Sequence, residues 1–169
     1  TNPPFSLFRE YIAQLMEYGK KFLIVAPQQD ATNVVSIFPY FKNNLVWFGM
    51  THCKDFVQPN GETQSFGNIC WFTNLSNEKR NKPLDLYKHY SNEYKHYDNY
   101  DAIEVGKVCE IPMDYDGVMG VPITFLDKYC PDQFEVLLTS AYNNEKCYGC
   151  SGLYINGKKT YSRLLIKRK

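Results

Sequence analysis

An amphipathic helix that runs straight into a continuous apolar stretch limits this chain's fold more than any other feature. Leu7, Phe8, Tyr11, Ile12, Leu15 and Met16 share one stripe at the helical period, which predicts a helix over residues 6–20. Ser6 is placed to cap its start, and Gly19 stands where a left-handed residue ends a helix. Residues 21–27 then read Lys-Phe-Leu-Ile-Val-Ala-Pro, the pattern of a parallel strand buried on both faces. The alternation repeats. Residues 32–42 predict a second helix that ends or kinks at Pro39, and residues 45–50 a second strand. Helix–strand–helix–strand is α/β order, and it places the first strand of the series before Thr1.

Later segments follow weaker rules. Residues 55–65 are polar, with Pro59-Asn60-Gly61 as a turn, and residues 66–74 predict a third strand. Residues 76–83 form a charged loop, and residues 84–120 are rich in Tyr, Asp and Asn with little periodicity. Residues 134–139 predict a strand. Residues 152–167 predict a C-terminal β-hairpin turning at Asn156-Gly157, with Tyr161, Leu164 and Ile166 alternating on the return.

Composition excludes several classes. With 169 residues, 44% of them apolar and 16% aromatic, the chain has the mass for a real core and is neither disordered nor a coiled coil. Its longest apolar run, residues 22–26, is far too short to span a membrane. The opening Thr1-Asn2-Pro3-Pro4 has no signal-peptide character and suggests a chain cut from something longer. The six cysteines are therefore expected to be reduced thiols in a cytoplasmic setting. Only Cys147-Tyr148-Gly149-Cys150 has metal-like spacing. It lacks a second pair of ligands nearby, so no metal is expected there.

Charge is uneven beneath a net +1. Residues 1–83 hold 8 basic and 6 acidic side chains, residues 84–135 hold 4 and 11, and residues 136–169 hold 7 and 1. A basic end suits phosphate contacts, and with Lys79 and Arg80 the tail residues Lys158, Lys159, Arg163 and Lys167 are the candidate phosphate contacts. Solvated surface charge explains them equally well.

The chemistry-bearing motif is Asn2-Pro3-Pro4-Phe5. Two prolines fix φ and remove two backbone donors, leaving a stiff loop with open carbonyls. An exocyclic amine such as adenine N6 has two N–H groups, which the Asn2 side-chain oxygen and the Pro3 carbonyl suit as acceptors. Phe5 offers a flat face for a base. Accepting both hydrogen bonds draws the nitrogen toward tetrahedral geometry and frees its lone pair for attack on a methyl donor. The same residues also suit a plain Pro-rich turn leading into a helix.

On its longer segments the sequence resembles the EcoRI-type family of adenine-specific DNA methyltransferases. These segments are Thr1-Asn-Pro-Pro-Phe-Ser-Leu-Phe-Arg9, Phe66-Gly-Asn-Ile-Cys-Trp-Phe-Thr-Asn-Leu75, Tyr97-Asp-Asn-Tyr-Asp-Ala-Ile103, the stretch from Ile111-Pro-Met-Asp-Tyr-Asp-Gly to Asp127-Lys-Tyr129, and Gly152-Leu-Tyr-Ile-Asn-Gly157 with Arg163. The resemblance implies methyl transfer from S-adenosylmethionine to adenine N6 of duplex DNA, the adenine being flipped over Phe5, in a modification or restriction–modification system with a cognate endonuclease. Asn2, Pro3, Pro4 and Phe5 would be the catalytic residues. The implied fold is the second half of a Rossmann-like methyltransferase sheet. Residues 1–75 would form the partial catalytic domain, and residues 76–169 a target-recognition extension packed on the same core.

The chain departs from the family at one point. None of its ten glycines forms a Gly-x-Gly pair, and the family's cofactor-binding glycines lie before the Asn-Pro-Pro-Phe loop. The expectation is therefore a C-terminal part that lacks the cofactor half, is inactive alone, and self-associates, either through the open edge of the strand at residues 22–26 or by burying the helical stripe across a dimer. A non-enzymatic DNA-binding remnant is the alternative. Methylation of protein glutamine or of RNA fits the longer segments poorly. Trp71, Phe72 and Tyr100 suit either base stacking or core packing. Asp114 and Asp116 suit a turn or DNA-proximal loop better than a metal site, and His52, His89 and His96 show no spacing to a nucleophile.

Overall fold

A computed structural model of the chain describes residues 1–78, 80–141 and 152–169. It divides into two compact units, Thr1–Lys79 and Arg80–Lys169. The fold is mixed α/β with four separate sheets among the described residues.

In the first unit a 3-10 turn, Phe5–Leu7, leads into helix α1, Phe8–Glu17. Ser6 lies inside the 3-10 turn rather than at a cap, and no side chain caps either element. Prolines at 3 and 4 set the entry angle instead: Pro4 is extended at φ −55°, and its carbonyl accepts the Leu7 N–H (3.0 Å). The helix closes as expected. Gly19 has φ +60°, its N–H bonds the Met16 carbonyl, and the Lys20 N–H bonds the Leu15 carbonyl (2.8 Å), a Schellman ending. Phe8 and Ile12 are buried, Tyr11, Leu15 and Met16 half-buried, and Leu7 exposed, so the buried stripe is narrower than its periodicity suggests.

Strand β1, Leu23–Pro27, is buried at three consecutive residues, Ile24, Val25 and Ala26, and so on both faces. Its hydrogen-bonded neighbour is nevertheless antiparallel: β5, Ile69–Thr73, lies between β1 and β2, Trp47–His52, with both running against it. An apolar run reports burial, not the direction of the neighbour. The parallel contact is on the other edge. The Thr1 amine donates to the Leu23 carbonyl and the Val25 N–H to the Thr1 carbonyl, both at 2.9 Å, which is the slanted pattern of a parallel pair centred on Ile24.

The second helix is in fact two, α2 (Asp30–Asn33) and α3 (Phe38–Lys42). Pro39 occupies the first turn of α3, where its missing N–H costs nothing, so it starts a helix instead of ending one. A short hairpin of β3 (Asp55–Val57) and β4 (Thr63–Ser65) occupies the segment read as turn-rich loop. The core is aromatic. Phe72 meets Phe8, Phe41 and Phe48 at centroid distances of 5.4, 5.0 and 5.4 Å.

The second unit contains strands and 3-10 turns. Its sheet has the order β6 (Ala102–Glu104), β7 (Val118–Val121), β11 (Leu164–Arg168), β8 (Phe134–Thr139), with β6 and β7 parallel and the other pairs antiparallel. Weak periodicity concealed β6 and β7 in the sequence because both are short. The Asn156-Gly157 turn joins β9 (Tyr154–Ile155) to β10 (Lys158–Lys159), with only two residues on each arm. Leu164 and Ile166 do not return along that hairpin. They sit in β11, between β7 and β8. Tyr97, Ala102, Leu138, Leu153 and Leu165 form one buried cluster. Among the described residues no helix is long and apolar enough to cross a membrane.

Candidate functional site

The loop Asn2–Phe5 lies in the first unit. Thr1 is tied to β1, the Pro4 carbonyl is taken by Leu7, and the Phe5 carbonyl accepts the Phe8 N–H. Among the described residues nothing donates to the Pro3 carbonyl, and no partner holds the Asn2 side-chain amide. Pro3 itself is buried, Asn2 is exposed and the Phe5 ring is 49% exposed. The loop therefore combines a fixed backbone with two free acceptors and an open aromatic face. A glycine cradle for a phosphate or a methyl donor is not part of it. Gly19, Gly61 and Gly67 face open space, and a Cβ on Gly49 would meet the Trp71 Cβ at 2.7 Å.

In the second unit an open cavity of about 790 Å³ is lined by Lys95, Lys158, Lys159, Tyr161, Arg163 and Glu104, among others. Three of the six basic residues singled out in the sequence thus converge on one place. Their roles differ. Lys158 and Lys159 are exposed on β10. The Arg163 guanidinium is turned to Glu104: its Nε donates to Oε1 at 2.9 Å, and the two side chains are only 13% and 16% exposed. The Tyr97 hydroxyl donates to the other oxygen of Glu104. Burial, and then this hydrogen bond, push the Tyr97 phenol far above its ordinary pKa, so it stays a neutral donor. Lys167 does not line the cavity. It lies exposed on β11, in register with Glu135. Arg80 is half-buried, and desolvation lowers its pKa. Lys79 lies outside the described residues.

Sequence reasoning passed over Lys95 and Tyr161, which line the same cavity. It also passed over what holds the hairpin. The Asp98 carboxylate accepts the N–H groups of Asn156 (3.1 Å) and Gly157 (2.7 Å). The Asn99 side chain donates to the Gly152 carbonyl (2.8 Å) and accepts the Tyr154 N–H (3.1 Å). The available signal was Asp98-Asn99 itself, two side chains that readily bond backbone groups.

Phe72 is in the core and Tyr100 packs against the Tyr97 cluster, while Trp71 is half-buried on β5. The Asp114 carboxylate is occupied by the Tyr90 N–H (2.7 Å) and the His89 ring (2.8 Å), and no group of three His, Cys, Asp or Glu that could hold a metal occurs among the described residues. His96 faces the Tyr90 hydroxyl at 3.4 Å, and His52 ends β2. Cys53, Cys70, Cys109 and Cys130 are not in disulfides, and Cys147 and Cys150 lie outside the described residues.

The family described as adenine-specific methyltransferase EcoRI matches residues 1–169. The chain is 45% identical over 190 aligned residues to the Type II methyltransferase M.EcoRI of Escherichia coli, an alignment covering all of this chain and 56% of that protein. It is 36% identical to M.MgeORF184P of Mycoplasma genitalium and 35% identical to M.MpnI of Mycoplasma pneumoniae, again over the whole chain and 63% of each relative. The chain thus spans between 56% and 63% of the length of these relatives. No solved structure matches it.

Proposed function

Because the chain belongs to the adenine-specific EcoRI methyltransferase family, we propose that it supplies the target-base part of a cytoplasmic DNA methyltransferase acting on adenine N6 in a restriction–modification system. The observation that carries this reading is the pair of unclaimed acceptors, the Asn2 side-chain oxygen and the Pro3 carbonyl, in the same loop as the half-exposed Phe5 ring. A flipped adenine stacks on Phe5. Its N6 amine donates one hydrogen to each acceptor, which localises the nitrogen lone pair for attack on the methyl donor, and the surplus proton on the methylated nitrogen is then lost to water. Pro3, buried, and Pro4, extended, hold the loop backbone and with it the Pro3 carbonyl in place before the base arrives, so the ordering cost of that acceptor is met in folding, while the exposed Asn2 amide orders on binding.

S-adenosylmethionine is the methyl source in such a reaction. The residues present do not fit it by themselves, since among the described residues no glycine cradle adjoins the loop. The residues that hold it are assigned to sequence outside these 169. Thr1, pairing in parallel with β1, supports a further strand at that edge and hence a larger Rossmann-like sheet. The second unit is assigned to DNA recognition through its basic cavity.

The test is Asn2→Ala in the full-length protein. The Asn2 amide acts on charge that develops at N6, so kcat falls ~10²-fold or more while DNA affinity stays within about threefold. A kcat within about threefold of wild type makes Asn2 only a turn residue.

A further inference from the structure

We infer that the second-unit cavity is a cleft for one sugar–phosphate strand of DNA, with Lys95, Lys158 and Lys159 on the phosphates and the Tyr161 ring stacked along the strand, and that Asp98 is the residue that positions it. The inference rests on the DNA-directed reading above and adds the path, an aromatic contact and the positioning residue.

Charge selects the occupant. Two segments distant in sequence bring their lysines to one cavity, Lys95 beside β6 and Lys158 with Lys159 on β10. Glu104, the acid in its lining, is already matched by Arg163 and the Tyr97 hydroxyl, so it does not oppose an anion. Among the described residues no acid forms an ion pair with any of the three lysines, and three cations in an open groove suit a chain of phosphates better than one small anion. Tyr161 is 85% exposed and lines the same cavity. A flat aromatic face beside lysines is the combination that binds nucleic-acid strands by stacking and charge together.

Preorganisation selects the hairpin. Asn156 and Gly157 have φ +51° and +71°, the left-handed pair of a type I′ turn. A two-residue arm on each side is too short to hold that turn alone. The Asp98 carboxylate bonds both turn N–H groups, and the Thr160 hydroxyl and N–H both reach the Leu153 carbonyl, at 3.0 and 2.8 Å. The lysines are therefore presented on an ordered backbone.

The experiment titrates the full-length protein with a fluorescein-labelled mixed-sequence duplex over a potassium chloride series. Lys95→Ala, Lys158→Ala and Lys159→Ala each flatten the slope of log K against log salt by about 0.9, and exposed Lys128→Ala leaves it unchanged. Tyr161→Ala weakens binding about tenfold, while Tyr161→Phe keeps most of the affinity. Asp98→Ala weakens binding although it removes a negative charge, a sign that charge alone reverses. Asp98→Asn, which retains one acceptor oxygen, falls between, and a melting curve for each variant reports folding. Wild-type slopes in the lysine variants, with intact DNA binding, overturn the cleft and leave the methyltransferase reading standing. Tighter binding by folded Asp98→Ala overturns its positioning role. A wild-type protein that fails to bind duplex overturns both the inference and the reading beneath it.

Discussion

The ring of Tyr97 fills the space that a side chain on Gly120 would need. A Cβ built at Gly120 comes within 2.8 Å of the Tyr97 Cζ and 2.9 Å of its Cε2. Gly120 sits on β7, in register with Glu104 on one side and Leu165 on the other, so neither neighbour can move aside without breaking a ladder. Tyr97 cannot swing away without giving up its hydrogen bond to Glu104.

Gly120→Ala is therefore expected to destabilise the second unit by about 2–3 kcal/mol, in the range of overpacked cores. Denaturant unfolding measures this. In a Tyr97→Ala background the same substitution costs much less, because the opposing ring is gone, and the difference is the coupling energy of the pair.

Arg163 separates a structural from a DNA-binding role. Its charge is matched by Glu104 in a largely buried pair. Removing one partner of such a pair leaves the other charge stranded, at about 3–5 kcal/mol. Arg163→Ala is expected to lower the melting temperature strongly. Arg163→Lys keeps the charge but loses the two-nitrogen grip on one oxygen, and it gives a smaller drop with an unchanged salt dependence of DNA binding.

Asp114 makes the stability of the tyrosine stack depend on pH. The Tyr90 N–H, and after it the His89 ring, hold the Asp114 carboxyl below the usual aspartate range. A carboxylate depressed in the folded state contributes stability that is fully present above its unfolded pKa and is lost as pH falls through the folded one. Tyr90 stacks on Tyr94 and Tyr115 at centroid distances of 5.8 and 4.7 Å. Acidification below about pH 4 is expected to lower the protection factor of the Tyr90 amide, taken against the unfolded chain at the same pH, and Asp114→Ala, which removes the acceptor, is expected to show that lower protection already at neutral pH.

The absence of a fit for the methyl donor has its own test. Calorimetry of the 169-residue chain with S-adenosylmethionine is expected to show no saturable heat tighter than the millimolar range, about −4 kcal/mol. Micromolar binding by this chain would place the donor's site within it.

What could be read from the residues alone was what neighbours in sequence decide. The helical stripe and its Gly19 ending, the burial of Ile24 to Ala26 on both faces and the Asn156-Gly157 turn all follow from periodicity or from a required positive φ. The Asn2–Phe5 loop was legible for the same reason, since two prolines constrain the backbone wherever they occur. Pairing between distant segments was not legible. β5 enters antiparallel beside β1, Leu164 and Ile166 leave the hairpin for β11, and Arg163 turns inward to Glu104. Lys95 and Tyr161 line one cavity with Lys158 and Lys159, and Asp98 and Asn99 bind the hairpin to a segment more than fifty residues away. An apolar residue or a lysine carries no record of which remote strand or carboxylate it will meet. That choice is made by the sum of packing and hydrogen bonds over the whole unit, and only the tertiary structure states it.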